Sequence, residues 1–355
     1  MGFVRPEYSR KQVERAGDAL RQSPMNIDKV VDAIPVISNW RAAHAYPLNT
    51  FQATLRHKLK SLGMDAKSAP VGQRLKRLPS IVMKLQRFDQ MSLARMQDIA
   101  GLRAVVPSTT MLRAISRSYL EAERFPHELR TVHDYVQEPK SDGYRSIHLV
   151  YRYQNPRAPA YDGLHVELQL RTKVQHAWAT AVETVDTFAN SAIKAGKPTP
   201  MWKEFFQLAS AAFAFTEAQP LPAAYRGMPL IDIVAKLSSV EAQLNVIKRL
   251  RGFSIAADKI QRGGRGIAAY HLVVLNTEYF DLSIQSFPER ELDQATDAYQ
   301  RAEERTARGE PIDAVLVAGG SIEQLKKTYP NYFLDTSVFV RRVSTLCNSF
   351  RRSAQ

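Results

Sequence analysis

The chain has 355 residues, about twice the length of an ordinary domain, so two or three compact units are expected. Hydrophobic residues at 45 % and aromatics at 9 % suffice for ordinary cores and exclude global disorder. Lys and Arg total 49 against 35 Asp and Glu, and the formal charge of +14 points to polyanionic partners: nucleic acid, nucleotides or acidic lipid.

That excess is uneven. From Ile267 onward, 10 basic and 12 acidic residues leave −2, so residues 1–266 carry +16. A lone Cys347 excludes a disulfide framework and a Cys-rich zinc site, and fits a reducing compartment. Arg5, Glu7, Arg10 and Lys11 are scattered through the first residues with no apolar core of signal type, and no run of about 18 apolar residues occurs. A soluble, cytoplasmic protein without membrane or DNA partners is expected.

In chain order, apolar residues at 3- to 4-residue spacing from Tyr8 to Met64 predict two or three helices, among them Val13, Ala16, Leu20, Ile34, Ile37, Trp40, Leu55 and Leu59. Residues 74–90 are predicted as one more helix, studded with Arg and Lys. A strand ends at Pro107, and Met111–Glu123 is again helical. Strands are predicted at Ser146–Tyr153 and Leu164–Leu170. The second alternates strictly: Leu164, Val166, Leu168 and Leu170 on one face, and His165, Glu167, Gln169 and Arg171 on the other. One face is core, and the other is available for chemistry. Helices over 173–195 and 202–217, a linker at 220–229 and an amphipathic helix over 231–250 lead to a boundary at RGGRG, residues 262–266. Two strands (269–276 and 280–287), a helix (291–308), a third strand (313–319) and a helical turn (321–329) then make a small α+β domain of roughly 90 residues.

Two groups of segments stand out. In the first, Lys76, Ser80 and Lys84 are four residues apart, and with Arg74 they would form a cationic ridge on a helix, suited to a triphosphate. Taken alone, such a ridge is more often a solvated helix face. In the second, Asp98 lies just before one strand and Glu167 within another. Two carboxylates on a rigid sheet suit one Mg²⁺ whose other ligands are phosphate oxygens and water. Pairing of each with a neighbouring Arg, such as Arg103 or Arg171, is the plainer alternative.

The combination RxKxxxSxxxK at Arg74–Lys84, DIAGLR at Asp98–Arg103, DY…PKxxGYRSIH at Asp134–His148 and VELQLRT at Val166–Thr172 resembles the synthetase domain of the RelA/SpoT family. It covers roughly residues 50–190, in family order. The resemblance implies an α/β fold, a nucleotidyltransferase-like mixed β-sheet flanked by helices, and transfer of the β,γ-pyrophosphate of ATP to a ribose 3′-hydroxyl. By matching position, Arg74, Lys76, Ser80, Lys84 and Arg103 would bind ATP. Asp98 and Glu167 would be catalytic and hold Mg²⁺, with Glu167 assisting deprotonation of the attacking hydroxyl. Tyr144 would stack on the acceptor base, with Lys140, Arg145, His148, Gln169 and Arg171 completing the acceptor site. Such chemistry needs positioning, a metal and cationic neutralisation rather than a covalent nucleophile.

Other features of the sequence bear on the acceptor and on regulation. His133-Asp134 lies inside the DY…PK segment and lacks the spaced partners of the family's hydrolase. RGGRG lacks the Lys-Ser/Thr of a P-loop. After the RT segment, where alarmone synthetases carry Glu-His…Tyr-Lys, this chain reads HAWATAVETVDTFANSAIK. That stretch is closer to toxic small alarmone synthetases, some of which modify the 3′ CCA end of tRNA. The +16 of residues 1–266 suits a tRNA backbone, with Arg56, Lys58, Lys60, Arg113 and Arg117 as candidate phosphate contacts or, equally, solvated faces. GDP or GTP is the alternative acceptor, and an inactive nucleotide or RNA sensor a second alternative. Near the C-terminus, Tyr329-Pro-Asn-Tyr332 resembles the YxxY element of the CapRel type of fused toxin-antitoxin. This resemblance implies an autoinhibitory domain covering the ATP site and released by a phage structural protein; packing of both tyrosines within their own domain is the alternative. The implied organisation is a pyrophosphokinase domain over 1–220, a helical linker over 221–263 and a regulatory α+β domain over 264–355.

Overall fold

A computed structural model describes residues 3–21, 27–76, 78–123, 125–191, 200–252, 268–276, 282–308, 310, 312–318 and 336–353. Its contacts divide the chain into two units, one of residues 1–135 and 146–173, the other of residues 136–145 and 174–355. The boundaries expected near 220 and 263 fall inside the second unit.

The first unit opens with three helices, α1 (Arg10–Arg21), α2 (Ile27–Ala43) and α3 (Ala45–Ser61). Strand β1 (Val71–Leu75) leads to α4 (Leu78–Arg87), and β2 (Ala100–Val106) to α5 (Thr109–Leu120). Pro107 and the Ser108 N-cap, whose Oγ accepts from the Met111 N–H at 3.3 Å, turn β2 into α5. Strands β3 (Glu128–Asp134), β4 (Ile147–Arg152) and β5 (His165–Thr172) complete the unit.

The five strands lie in the order β1-β2-β5-β4-β3, with β2 and β5 parallel and the other pairs antiparallel. This is the mixed, helix-flanked sheet that the family resemblance implied. Register aligns the apolar rows: Val166 stands opposite Ala100 and Tyr151, Leu168 opposite Leu102 and Leu149, and Leu170 opposite Ala104 and Ile147. All nine side chains are buried. Phe51 of α3 and Tyr119 of α5 cover this face, with ring centroids 5.5 and 6.1 Å from Tyr151.

One prediction fails here. Residues 74–90 are not a single helix, because V-G-Q-R-L pairs with β2 as an edge strand, and the helix starts only at Leu78, with Pro79 in its first turn. Arg74 and Lys76 therefore do not share a helical ridge with Ser80 and Lys84. Strand β3 was also missed: its burial alternates poorly at the sheet edge, and a register shift between Leu129 and Thr131 breaks its period.

In the second unit, α6 (Lys173–Ser191), which begins one residue before it, is followed by α7 (Pro200–Thr216) and α8 (Leu230–Leu244). Asn245 takes the left-handed conformation at φ 51° and ends α8, so the predicted 231–250 helix is interrupted before a further helical segment over 246–252. The small α+β region is present: β6 (Ala268–Asn276) lies between β7 (Leu282–Pro288) and β8 (Ile312–Ala318), all antiparallel, with α9 (Leu292–Ala307) on them. A last helix, α10 (Ser337–Ser353), which the sequence reading missed, buries Phe339, Val340, Val343 and Cys347 among residues of α7 and α8. Tyr329, Tyr332 and RGGRG lie outside the described residues. No described helix is long and apolar enough to cross a membrane.

His44, between α2 and α3, is 1 % exposed and bonds the Trp40 carbonyl through Nδ1 at 2.7 Å. Burial holds its pKa down at about 4 against 6.5 in an unfolded chain. The unfolded state binds the extra proton, so stability contributed by neutral His44 is lost as pH falls through 6.5 toward 4. Between pH 7.5 and 5 the loss should be about 2 kcal/mol. Urea denaturation of His44→Asn, which keeps a donor for Trp40, should show a flatter pH dependence; an unchanged profile would assign the acid sensitivity elsewhere.

Candidate active site

The polar face of the sheet carries the predicted residues in two rows. Register sets Arg74, Gly101, Glu167, Val150 and Thr131 side by side, and next to them Gly72, Arg103, Gln169, His148 and His133. Glycine at 101 leaves room for its neighbour: a Cβ there would stand 3.6 Å from Arg74 Cγ and 3.8 Å from its Nε. The Arg74 side chain thus lies along the sheet, and Gly72 faces open space on the same surface.

Lys76 and Lys84 converge on one carboxylate. Lys76 Nζ is 2.8 Å from Asp98 Oδ2, and Lys84 Nζ is 3.0 Å from Oδ1. Burial pushes the Asp98 pKa up, but the two ammoniums outweigh it and hold the carboxyl below its ordinary value. Sequence spacing suggested proximity along a helix, whereas the actual link is through Asp98. Lys76 is held from below, its N–H bonding the Ile99 carbonyl at 2.8 Å and its carbonyl accepting from Arg41 Nε at 2.8 Å. Arg41 gave no signal in the sequence. Ser80 lies half-buried on α4, one turn before Lys84.

Glu167 is the centre of a second cluster. His148 Nδ1 bonds its Oε1 at 2.8 Å, and Gln169 Nε2 donates to its Oε2 at 2.7 Å. Arg103 Nε and Nη2 donate to Gln169 Oε1 at 3.3 and 3.2 Å, extending the chain to β2. Burial alone would raise the Glu167 pKa, yet His148, Gln169 and the nearby Lys84 bring it down to about 2. Lys84 thus influences both carboxylates. In place of the alternative pairing with Arg103 or Arg171, Asp98 meets two lysines and Glu167 meets His148 and Gln169. Arg171 lies buried further along the same face of β5.

The donor set suits Mg²⁺ chemically: two ionised oxygen ligands, both under the influence of one cation, with lysines beside them for phosphates. Among the described residues no group of three or more His, Cys, Asp or Glu is arranged to hold an ion without such help. His133 stacks on Tyr135 at 5.4 Å, and Asp134 pairs with Arg113, so the HD dipeptide is engaged in local contacts.

The remaining acceptor candidates belong to the second unit. Lys140 and Tyr144 lie on the β3–β4 connection, the Lys140 ammonium 5.1 Å from the Tyr144 ring centroid, and Arg145 is buried. Of the five candidate tRNA contacts, Arg113 is paired with Asp134, and Lys58 donates to the Ser118 carbonyl and lies 4.9 Å from the Tyr119 ring. Arg56, Lys60 and Arg117 are exposed.

Residues 73–187, the segment that holds Arg74, Lys76, Asp98 and Glu167, match the family model described as the region found in RelA / SpoT proteins. An uncharacterized protein of Mycobacterium tuberculosis is 29 % identical over 180 residues, 50 % of this chain and 59 % of the relative. The GTP pyrophosphokinase YjbM of Bacillus subtilis is 32 % identical over 109 residues, 30 % of this chain and 51 % of the relative. The chain thus spans little more than half the length of these relatives. Among solved structures, small alarmone synthetase 1 of Bacillus subtilis bound to pppGpp has a TM-score of 0.40 at 26 % identity, covering 49 % of this chain and 87 % of that one.

Removing the Asp98 charge leaves two partly buried ammoniums side by side. Asp98→Asn should lower the thermal stability of the ligand-free protein by about 1–2 kcal/mol, less than for a fully buried pair because all three groups touch solvent. A stability equal to that of the unmodified chain in low salt would show that the lysines do not depend on this carboxylate.

Proposed function

We propose that the chain is an ATP- and Mg²⁺-dependent pyrophosphokinase of RelA/SpoT type. The observation that carries this reading is the polar sheet face, where Arg74, Arg103 and Glu167 stand in register beside the Lys76–Asp98–Lys84 cluster, within the segment that matches the RelA/SpoT region. YjbM, named a GTP pyrophosphokinase, supports the same reaction class.

In the reaction, a ribose 3′-hydroxyl attacks the β-phosphorus of ATP, the bond from that phosphorus to the oxygen bridging the α-phosphate breaks, and AMP departs. Arg74, Lys76, Ser80, Lys84 and Arg103 would bind ATP and neutralise charge on its phosphates. Asp98 and Glu167 would hold Mg²⁺, which when bound supplies further neutralisation and orients the phosphates. Glu167 would assist removal of the hydroxyl proton, its orientation set by His148 and Gln169. Tyr144, Lys140 and Arg145 would receive the acceptor.

For the acceptor we favour the 3′ end of tRNA, on the strength of the +16 charge of residues 1–266 and the exposed Arg56, Lys60 and Arg117. The product would block translation, and the C-terminal region, with Tyr329 and Tyr332, would restrain the enzyme until a phage structural protein releases it. Such release requires a trigger that binds the open state better than the closed one. The second reading, (p)ppGpp synthesis from GDP or GTP, is favoured by the name of YjbM.

Incubating the full chain carrying Tyr332→Ala, which should lift the proposed restraint, with γ-³²P-ATP and Mg²⁺, and with deacylated tRNA and GDP/GTP in parallel, separates these readings. Label on tRNA, lost when the terminal adenosine is removed, is expected; label on guanine nucleotide alone would replace the first reading by the second. Glu167→Gln should retain a folded protein and lose transfer by a factor of about 10² or more. Undiminished transfer by that variant would remove Glu167 from the mechanism.

A further inference from the structure

The β3–β4 connection, residues 136–145, leaves the sheet at Tyr135 and returns at Ser146, and these two residues close its stem with a backbone hydrogen bond of 2.9 Å. Its body belongs to the second unit, where it is bound to α7. Ser210 Oγ donates to the Gly143 carbonyl at 2.6 Å, and Gln207 Nε2 donates to the Ser141 carbonyl at 2.5 Å. Gly143 has φ 93°, and a Cβ on it would stand 3.0 Å from Ser210 Cβ, 3.2 Å from Trp178 Cζ2 and 3.3 Å from Gln207 Cα. Only glycine allows both the turn and this close seating. Next to it, the Tyr144 ring meets Trp178 edge-on at 6.4 Å, and Trp178 Nε1 donates to the Phe206 carbonyl of α7 at 2.8 Å.

Helix α7 begins at Pro200, beyond the RelA/SpoT region, which ends at residue 187. It is also the helix on which α10 rests: Phe339 lies 6.1, 5.8 and 5.6 Å from the rings of Phe205, Phe206 and Phe213. Phe213 lines a small cleft together with Gly143, Arg145, Trp178, Ser210 and Glu217. Glu217, at the end of α7, feels the guanidiniums of both Arg145 in the connection and Arg342 in α10. Apolar contacts and charge therefore join the C-terminal helix to the 136–145 connection through one intervening helix.

We propose that α7 holds the acceptor loop in its binding shape under the control of α10, with Ser210 and Trp178 as positioning residues for the acceptor. This rests on the reading above that Lys140, Tyr144 and Arg145 bind the acceptor. The C-terminal segment then acts on acceptor affinity. Separation of α10 from α7 weakens acceptor binding without touching the ATP residues, all of which lie within residues 1–135 and 146–173, so the release assigned above to Tyr329 and Tyr332 has to leave α10 on α7.

The test uses the full chain, with Ser210→Ala and Phe339→Ala measured against Phe339→Leu, which keeps an apolar side chain on α7. KM is determined for ATP and for deacylated tRNA or GTP, whichever is labelled, with every chain, the reference included, also carrying Tyr332→Ala so that the proposed restraint does not mask activity. Ser210→Ala and Phe339→Ala should raise the acceptor KM by about five-fold, the size expected for one lost hydrogen bond or seating contact, with ATP KM within twofold. Phe339→Leu should lie near the reference chain. Hydrogen exchange of residues 136–145 should accelerate in the two alanine variants, a readout independent of activity; unchanged exchange and acceptor KM in both would overturn the proposal. Should Phe339→Ala fail to fold, Ser210→Ala decides alone. Tyr144→Ala distinguishes the two levels: an unchanged acceptor KM there removes the acceptor assignment, whereas a raised KM with inert Ser210 and Phe339 variants removes only the coupling.

Discussion

The parallel pairing of β2 with β5 carries the rest of the site. It places Gly101 opposite Glu167 and Arg103 opposite Gln169, and a slip of one residue would exchange every polar side chain for a leucine or valine. The buried row of Val166, Leu168 and Leu170 prevents that slip, because moving it to solvent would forfeit most of the core beneath α3 and α5. Packing on one face thus supplies the rigidity on which the chemistry of the other depends. A carboxylate mid-strand, as Glu167 is, is held more precisely than one on a loop, since both neighbouring strands restrain its backbone.

On this support the site balances charge in two linked clusters. Asp98 draws Lys76 and Lys84 together, and Glu167 is enclosed by His148 and Gln169. The lysines would otherwise repel one another, and the partly buried carboxylates would otherwise tend toward their neutral forms. Each carboxylate keeps its ionised state because of its partners. A polyphosphate approaching such a site meets cations already gathered, so little reorganisation is left for the binding step.

The second unit has a different logic. Trp178 stands in the stretch where the sequence departs from the pattern usual for alarmone synthetases, and it has a structural task there: its ring meets Tyr144 and its indole N–H holds the Phe206 carbonyl. That stretch therefore takes part in seating the 136–145 connection on α7. Since α7 also carries Phe339, the same apolar helix serves the proposed acceptor loop and the end of the chain.

Much of this was legible in the amino-acid order, and the limit has a physical cause. Strict alternation over 164–171 defined β5 and its two faces, and 3- to 4-residue spacing found most of the helices, because both signals are local. Edge strands β1 and β3 escaped: half exposed, they lack a clean period, and Gly72 and the shift at Leu129 further blur it. Helix α10 carries the same local signal, its buried Phe339, Val340, Val343 and Cys347 lying at helical spacing. Charged residue types and their order were enough to nominate Lys76, Lys84, Asp98 and Glu167. Which cation meets which carboxylate was decided by tertiary structure alone, since Lys76 and Lys84 reach Asp98 across 22 and 14 residues of chain, from a strand end and a helix whose relative placement no local spacing encodes.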